Sequence, residues 1–321
     1  MEGMKDMPRV LFLGMQGSFS SPSLQALVES GVEVCAVVIP AANGEPGIHE
    51  VRADRPALYR REQPRLPRSS LPVLNSTLSS SIVQLAWQQS IPLWEVTRLA
   101  DPQTIATLAA YQPDFICVAC FSQRIPRAII DLPRLGCLNV HPSLLPANRG
   151  PVPLFWTFRE GSEQTGVTIH LMDEGMDGGD ILAQRVIPVP AGISYAQLES
   201  QCALEGGALL AQTVWEFFRG RAIQVAQDES KSSYHSFPRE EDYDVPVDEW
   251  SAAHVYNFIC GVGTWGETVK LHIDGKVFQV RQGISYSQET QGKRSGRTLF
   301  WEGAVLWLPC KTGWVGVLSL T

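Results

Sequence analysis

Four apolar runs in the first 140 residues do not alternate with polar ones, and no other feature constrains the fold as much. They are Val10-Leu11-Phe12-Leu13, residues 32–39, residues 115–121 and the shorter Leu138-Asn139-Val140. A strand that is apolar on both faces has to be covered on both, as in a parallel sheet between two layers of helices. The segments at 23–29, 80–89 and 102–110 carry apolar residues at helical spacing. A β–α–β succession of this kind predicts a doubly wound, mainly parallel α/β sheet. Two more strands are expected over 166–172 and 180–187. A long amphipathic helix over 194–219 then places Leu198, Cys202, Leu209, Val214 and Phe217 on or near one face.

The texture changes after Gly220. Residues 227–237 (QDESKSSYHSF) are polar and Ser-rich, which reads as a linker. Eight acidic side chains follow between 228 and 249, against Lys231 and Arg239. Beyond a helix at 251–260 come short strands, with Asp274-Gly275 marking a hairpin between 269–273 and 277–281. The expected organisation is a catalytic domain over 1–222, a linker over 223–237 and a small β-barrel-like domain over 238–321. Residues 40–72 break the alternation. They show no core periodicity, exceed an ordinary connection and hold Arg52, Arg55, Arg60, Arg61, Arg65 and Arg68. Such a loop reads equally as an anion-seeking arm or as a solvated surface loop.

Composition excludes several classes. No apolar run reaches the ~18 residues of a spanning helix, and the first residues lack the apolar stretch of a secretory signal. The net charge of −7 is the wrong sign for a dedicated non-specific nucleic-acid binder. Seven cysteines, an odd and scattered set, read as reduced thiols of a cytoplasmic chain. Cys117-Val118-Ala119-Cys120 has CxxC spacing but lies in an apolar strand, so it reads as core packing and not as a redox or zinc motif. Gly14-Met15-Gln16-Gly17-Ser18-Phe19 follows the first strand but is not GxGxxG. The second strand ends in Ile39-Pro40 without a carboxylate for a ribose, so the chain should not need NAD, and with no second Cys/His pair to complete a site it should not need a metal.

Asn139 and His141 stand two residues apart at the end of a buried strand, so their side chains share a face. That edge is where open α/β sheets keep their sites. A Gly-rich turn with clustered carboxylates, Asp173-Glu174-Gly175-Met176-Asp177-Gly178-Gly179-Asp180, follows at a spacing foreign to an EF-hand. Asn, His and Asp meeting there would suit transfer of a small carbonyl group. His moves protons near neutral pH, Asn donates to a developing oxyanion, and Asp sets the charge on the His.

The segment from Asn139 through His141-Pro142-Ser143-Leu144-Leu145-Pro146, then Arg149-Gly150 and the stretch TGVTIHLMDEGMDGGDIL at 165–182, resembles the 10-formyltetrahydrofolate-dependent formyltransferases. In layout the chain is most similar to methionyl-tRNA formyltransferases. Asp54-Arg55-Pro56-Ala57 resembles their basic loop, and residues 227–265 resemble the start of their C-terminal barrel. The resemblance implies Asn139, His141 and Asp177 as the catalytic trio and 10-formyltetrahydrofolate as formyl donor. It further implies a reduced-folate pocket built by Phe121, Ser122, Arg124, Ile125, Leu145, Pro146, Asp173 and Glu174, largely through backbone. Gly14, Arg55, Arg60, Arg61 and Arg149 would meet the acceptor, a charged initiator tRNA, with no membrane involved. The chain departs from the tRNA enzymes at Pro142 and at Ala147-Asn148-Arg149-Gly150, and Trp156 is similar to sugar-modifying relatives. A nucleotide-linked amino sugar, another small amine, or hydrolysis of the formyl-folate therefore stand as alternatives. A non-enzymatic RNA-binding role is disfavoured by the presence of all three catalytic residue types.

Overall fold

The computed structural model describes residues 7–41, 47–52, 81–273, 275–288 and 299–319. The apolar runs form the centre of one eight-stranded sheet. Its members are β1 (Arg9–Gly14), β2 (Glu33–Pro40), β3 (Ile48–Glu50), β4 (Leu93–Val96), β5 (Phe115–Ala119), β6 (Gly136–His141), β7 (Gln164–Leu171) and β8 (Ile181–Pro188). The spatial order is β3-β4-β2-β1-β5-β6-β7-β8. The five strands from β4 to β6 are parallel. Antiparallel β3 closes one edge, and antiparallel β7 and β8 extend the other.

Helices α1 (Ser20–Glu29), α2 (Ile82–Gln88), α3 (Pro102–Ala109), α4 (Arg127–Ile130), α5 (Pro153–Arg159) and α6 (Tyr195–Phe218) make the connections. Their starts follow from local chemistry. Ser81 and Ser194 each close a capping box with the Gln three residues on, and Asp101 caps α3 ahead of Pro102 at its first position. Side chains on alternate positions of the central strands enter two separate cores. Phe12, Cys117, Leu138 and Val140 face one, with Leu24 and Leu198; Leu13, Val118 and Cys137 face the other, with Leu108 and Ile129. On β6 the odd positions, Asn139 and His141 included, therefore point away from Leu138 and Val140.

The C-terminal region is a six-stranded, mainly antiparallel sheet of small-barrel type. It comprises β9 (Asp244–Pro246), β10 (Val269–Ile273), β11 (Lys276–Ser287), β12 (Phe300–Glu302), β13 (Val305–Pro309) and β14 (Trp314–Ser319), in the order β12-β13-β14-β11-β10-β9. The hairpin between β10 and β11 forms as expected. Two register shifts in β11 against β14 bend that long strand, as bulges do. Helix α7 (Ala252–Val262) packs on β11 and on α5. Among the described residues no helix is long and apolar enough to cross a membrane.

Three sequence expectations are corrected. The strand β5 stops at Ala119, and Cys120 turns outward at φ 57°, so Cys117 is core but Cys120 is not. The short run expected over 138–140 is a longer strand, Gly136–His141. Within the loop at 40–72, Ile48 and Val51 are buried around β3 and Arg52 pairs with Glu50. Arg55, Arg60, Arg61, Arg65 and Arg68 lie outside the described residues.

Candidate active site

Antiparallel pairing sets Asn139 opposite His170 and His141 opposite Thr168. Directly paired residues share a face of the sheet, so β6 and β7 bring Asn139, His141 and His170 together. The loop between β7 and β8 folds back and adds Asp177. Its carboxylate lies 3.7 Å from His141 Nδ1 through Oδ2 and 3.7 Å from His170 Nε2 through Oδ1. Asp177 holds a left-handed backbone at φ 53°, a conformation that costs a non-glycine residue ~1 kcal/mol or more. The Gly150 amide donates to its Oδ2 at 2.9 Å.

Hydrogen bonding fixes the tautomers. His141 Nε2–H donates to the Asn148 carbonyl at 2.9 Å, which leaves Nδ1 as the nitrogen that faces Asp177. His170 Nδ1–H donates to the Leu171 carbonyl at 2.8 Å, so its Nε2 accepts from Asn139 Nδ2 at 3.2 Å. Burial pulls the His170 pKa down to about 4 against the pull of the Asp177 carboxylate. It is therefore neutral at physiological pH and serves Asn139 as an acceptor. The Asn139 amide has a second N–H left for another partner. His170 was not singled out from sequence, although a polar residue two places after Thr168 in an otherwise apolar strand marks that face.

The other expected site residues within the described part of the chain are placed as follows. Arg124 donates to the Glu174 carbonyl at 3.2 Å, tying the 121–125 turn to the 173–177 loop. Asp173 Oδ1 accepts from the Gly175 amide and shapes that loop. Ser122 is exposed and Phe121 partly so, whereas Ile125 and Leu145 are buried. Leu145 N–H donates to Thr168 Oγ1, and Pro146 O accepts from Ser233. Gly14 has no room for a side chain, since a Cβ would fall 2.7 Å from the Phe12 ring. Arg149 spends its guanidinium inside the chain, on Gln227 and Glu229. Among the described residues no group of His, Cys, Asp or Glu could hold a metal ion.

The segment after Gly220, expected as a linker, lies along the rim. Val225 exchanges both backbone hydrogen bonds with Ile181, at 2.8 and 2.9 Å. Ser233 and His235 bond the 146–149 loop, and the His235 ring stacks on Trp156 at 4.3 Å. Gly150 allows this approach: at φ 112°, a Cβ there would lie 2.0 Å from the His235 carbonyl.

Residues 8–214 match the Formyl transferase family. The chain belongs to that family. It is 32% identical to a methionyl-tRNA formyltransferase of Citrifermentans bemidjiense over 274 residues, covering 85% of this chain and 76% of that one. An N-formyltransferase from Helicobacter canadensis, solved in complex with folinic acid and dTDP-3-aminofucose, shares the fold at TM-score 0.63. Its identity is 15%, with 96% of this chain and 98% of that chain covered. A variant of HypX from Aquifex aeolicus aligns at TM-score 0.55 and 17% identity, and there 97% of this chain spans 45% of the longer one. The chain is thus a formyl-transferring enzyme built on the fold that its apolar runs predict.

Proposed function

We propose that this enzyme moves a formyl group from 10-formyltetrahydrofolate to the amino group of methionyl-tRNA. Asn139, His141 and Asp177 are the catalytic residues in this reading. The observation that carries it is the convergence of the three at one sheet edge, with His141 Nδ1 turned toward Asp177. The donor set fits a formyl carbonyl. As the amine attacks, negative charge grows on the formyl oxygen, and the free N–H of Asn139 is positioned to meet it. His141 Nδ1 takes the amine proton, Asp177 stabilises the imidazolium that results, and the proton passes to N10 as the formyl carbon–N10 bond breaks and tetrahydrofolate leaves. The turns around Arg124, Asp173 and Glu174 offer backbone groups to the pterin. Residues 1–222 carry the chemistry, 223–237 connect, and 238–321 form a second domain.

Methionyl-tRNA is favoured as acceptor by the similarity to a curated tRNA enzyme across 85% of this chain. An acceptor panel with 10-formyltetrahydrofolate tests it, comparing charged tRNA with nucleotide-linked amino sugars and with water. Formylation of an amino sugar alone, or bare hydrolysis of the donor, would replace this reading.

Two predictions arise here. Replacing Arg55, Arg60 and Arg61 with Ala should flatten the salt dependence of tRNA affinity by up to ~3 phosphate contacts, because each arginine bound to phosphate releases counterions. Affinities at two salt concentrations measure this, and an unchanged slope would remove the loop from the tRNA site. His170→Leu deletes the acceptor that orients Asn139, a hydrogen bond worth about 1 kcal/mol, so turnover should fall roughly 5-fold. His170→Gln, which restores an acceptor oxygen near the Nε2 position, should recover most of it. Equal turnover in the Leu variant and the parent would show that Asn139 needs no such partner.

A further inference from the structure

Asp177 has to keep a left-handed backbone and an oriented carboxylate in a glycine-rich loop, where chain entropy favours spreading. Something outside the loop must hold it. The Gly150 amide fixes Oδ2 but leaves the backbone free. That backbone is gripped by Gln227, whose Nε2 donates to the Asp177 carbonyl at 2.8 Å and to the Gly179 carbonyl at 2.7 Å. Its Oε1 accepts from Arg149 Nε at 3.1 Å and Nη2 at 2.8 Å. Both N–H bonds and both lone pairs of the amide are thereby used. Arg149 is itself held from the far side by the Glu229 carboxylate, at 2.7 and 3.0 Å.

We propose that Gln227 is a positioning residue for the reaction: with Arg149 behind it, it latches the 177–179 backbone so that Asp177 meets His141. The inference rests on the reading of Asp177 as catalytic. It assigns a task to a segment that looks like a spacer in sequence. Arg149 thereby acts within the chain, as the arm that aims the Gln227 amide, and Glu229 as the counter-charge that keeps Arg149 in place. No side chain other than glutamine offers two donors and two acceptors at this reach. Glutamate keeps the acceptors for Arg149 but sets carboxylate oxygen against two carbonyls.

Gln227→Ala and Gln227→Glu test the latch in the full-length chain. Two readouts are taken per folded enzyme: amide hydrogen exchange over 173–180, and kcat and KM with 10-formyltetrahydrofolate and the acceptor the panel identifies. Both variants should exchange roughly 30-fold faster in that loop, since two hydrogen bonds are lost. kcat should fall ~10- to 100-fold, the scale of a catalytic group misplaced by about 1 Å, with KM for the donor within about 3-fold. The melting temperature should stay close to that of the parent, so that the loss is not one of folding. Unchanged exchange overturns the latch, and so does faster exchange with parental kcat, because Asp177 then needs no holding. If the parent enzyme formylates no acceptor, the reading of the reaction fails, and the exchange data alone decide whether the latch exists. If the Ala variant does not fold, the isosteric Glu variant carries the test.

Discussion

Asn139→Ala, His141→Ala and Asp177→Asn are each expected to lower turnover by ~100-fold or more while the fold is kept. The loss of one preorganised donor or proton acceptor from a formed site costs about 3 kcal/mol in the transition state. Asp177→Asn is the sharpest of the three. It preserves shape and removes the charge that faces His141 Nδ1 at 3.7 Å, so the imidazolium loses its stabiliser. One constraint sharpens the expectation: His141 Nε2 is already committed to the Asn148 carbonyl, so Nδ1 is the nitrogen available for proton transfer. Because the three act as a unit, the double variant His141→Ala/Asp177→Asn should be little worse than His141→Ala alone. Steady-state kinetics at saturating donor checks both points. Near-parental turnover in His141→Ala would remove the histidine from the mechanism, and additive losses in the double variant would separate its role from that of Asp177.

The sheet was legible where burial is symmetrical. The continuous run at 115–121 pointed to a central strand, and apolar residues at helical spacing pointed to α1, α2, α3 and α6. Strands β3 and β4 and helices α4 and α5 escaped, since three to seven residues carry too little periodicity to separate from loop. Asn139 and His141 were legible because their spacing of two fixes a shared face. Asp177 came from the family resemblance together with its glycine-rich turn. His170 was hidden by its apolar neighbours until register set it opposite Asn139. Gln227 could not be found from sequence: it bonds Asp177 and Arg149 across 50 and 78 residues, and only tertiary folding brings them together. Polarity in 227–237 suggested solvent, whereas much of that polarity is spent on hydrogen bonds to the site rim.

Phe155→Ala should destabilise the protein by ~3–5 kcal/mol, a large share of the ~5–15 kcal/mol that holds a typical folded chain together. Phe155 is 0% exposed. Its ring lies among Trp156, Tyr243, Phe258 and Trp265, at centroid distances of 5.3, 5.2, 5.8 and 5.8 Å. Three of those four rings come from beyond residue 238, so the side chain joins the catalytic sheet to the C-terminal region. Polar contacts run beside it. Arg159 donates to the Asp244 carbonyl at 2.7 Å with its guanidinium 4.7 Å above the Trp250 ring, and His254 Nε2 donates to the Arg159 carbonyl at 3.1 Å. Rigid rings from several elements collapse poorly into the space a phenyl leaves, which puts this site at the costly end of large-to-small changes. One buried cluster runs through both regions, so urea should unfold the parent in a single transition. The variant should lose midpoint in both sheets together, read by tryptophan fluorescence and far-ultraviolet circular dichroism. A loss under about 1 kcal/mol would mean that the neighbouring rings close the gap. Separation into two transitions would mean that Phe155 supplies the coupling between the regions, beyond its share of their packing.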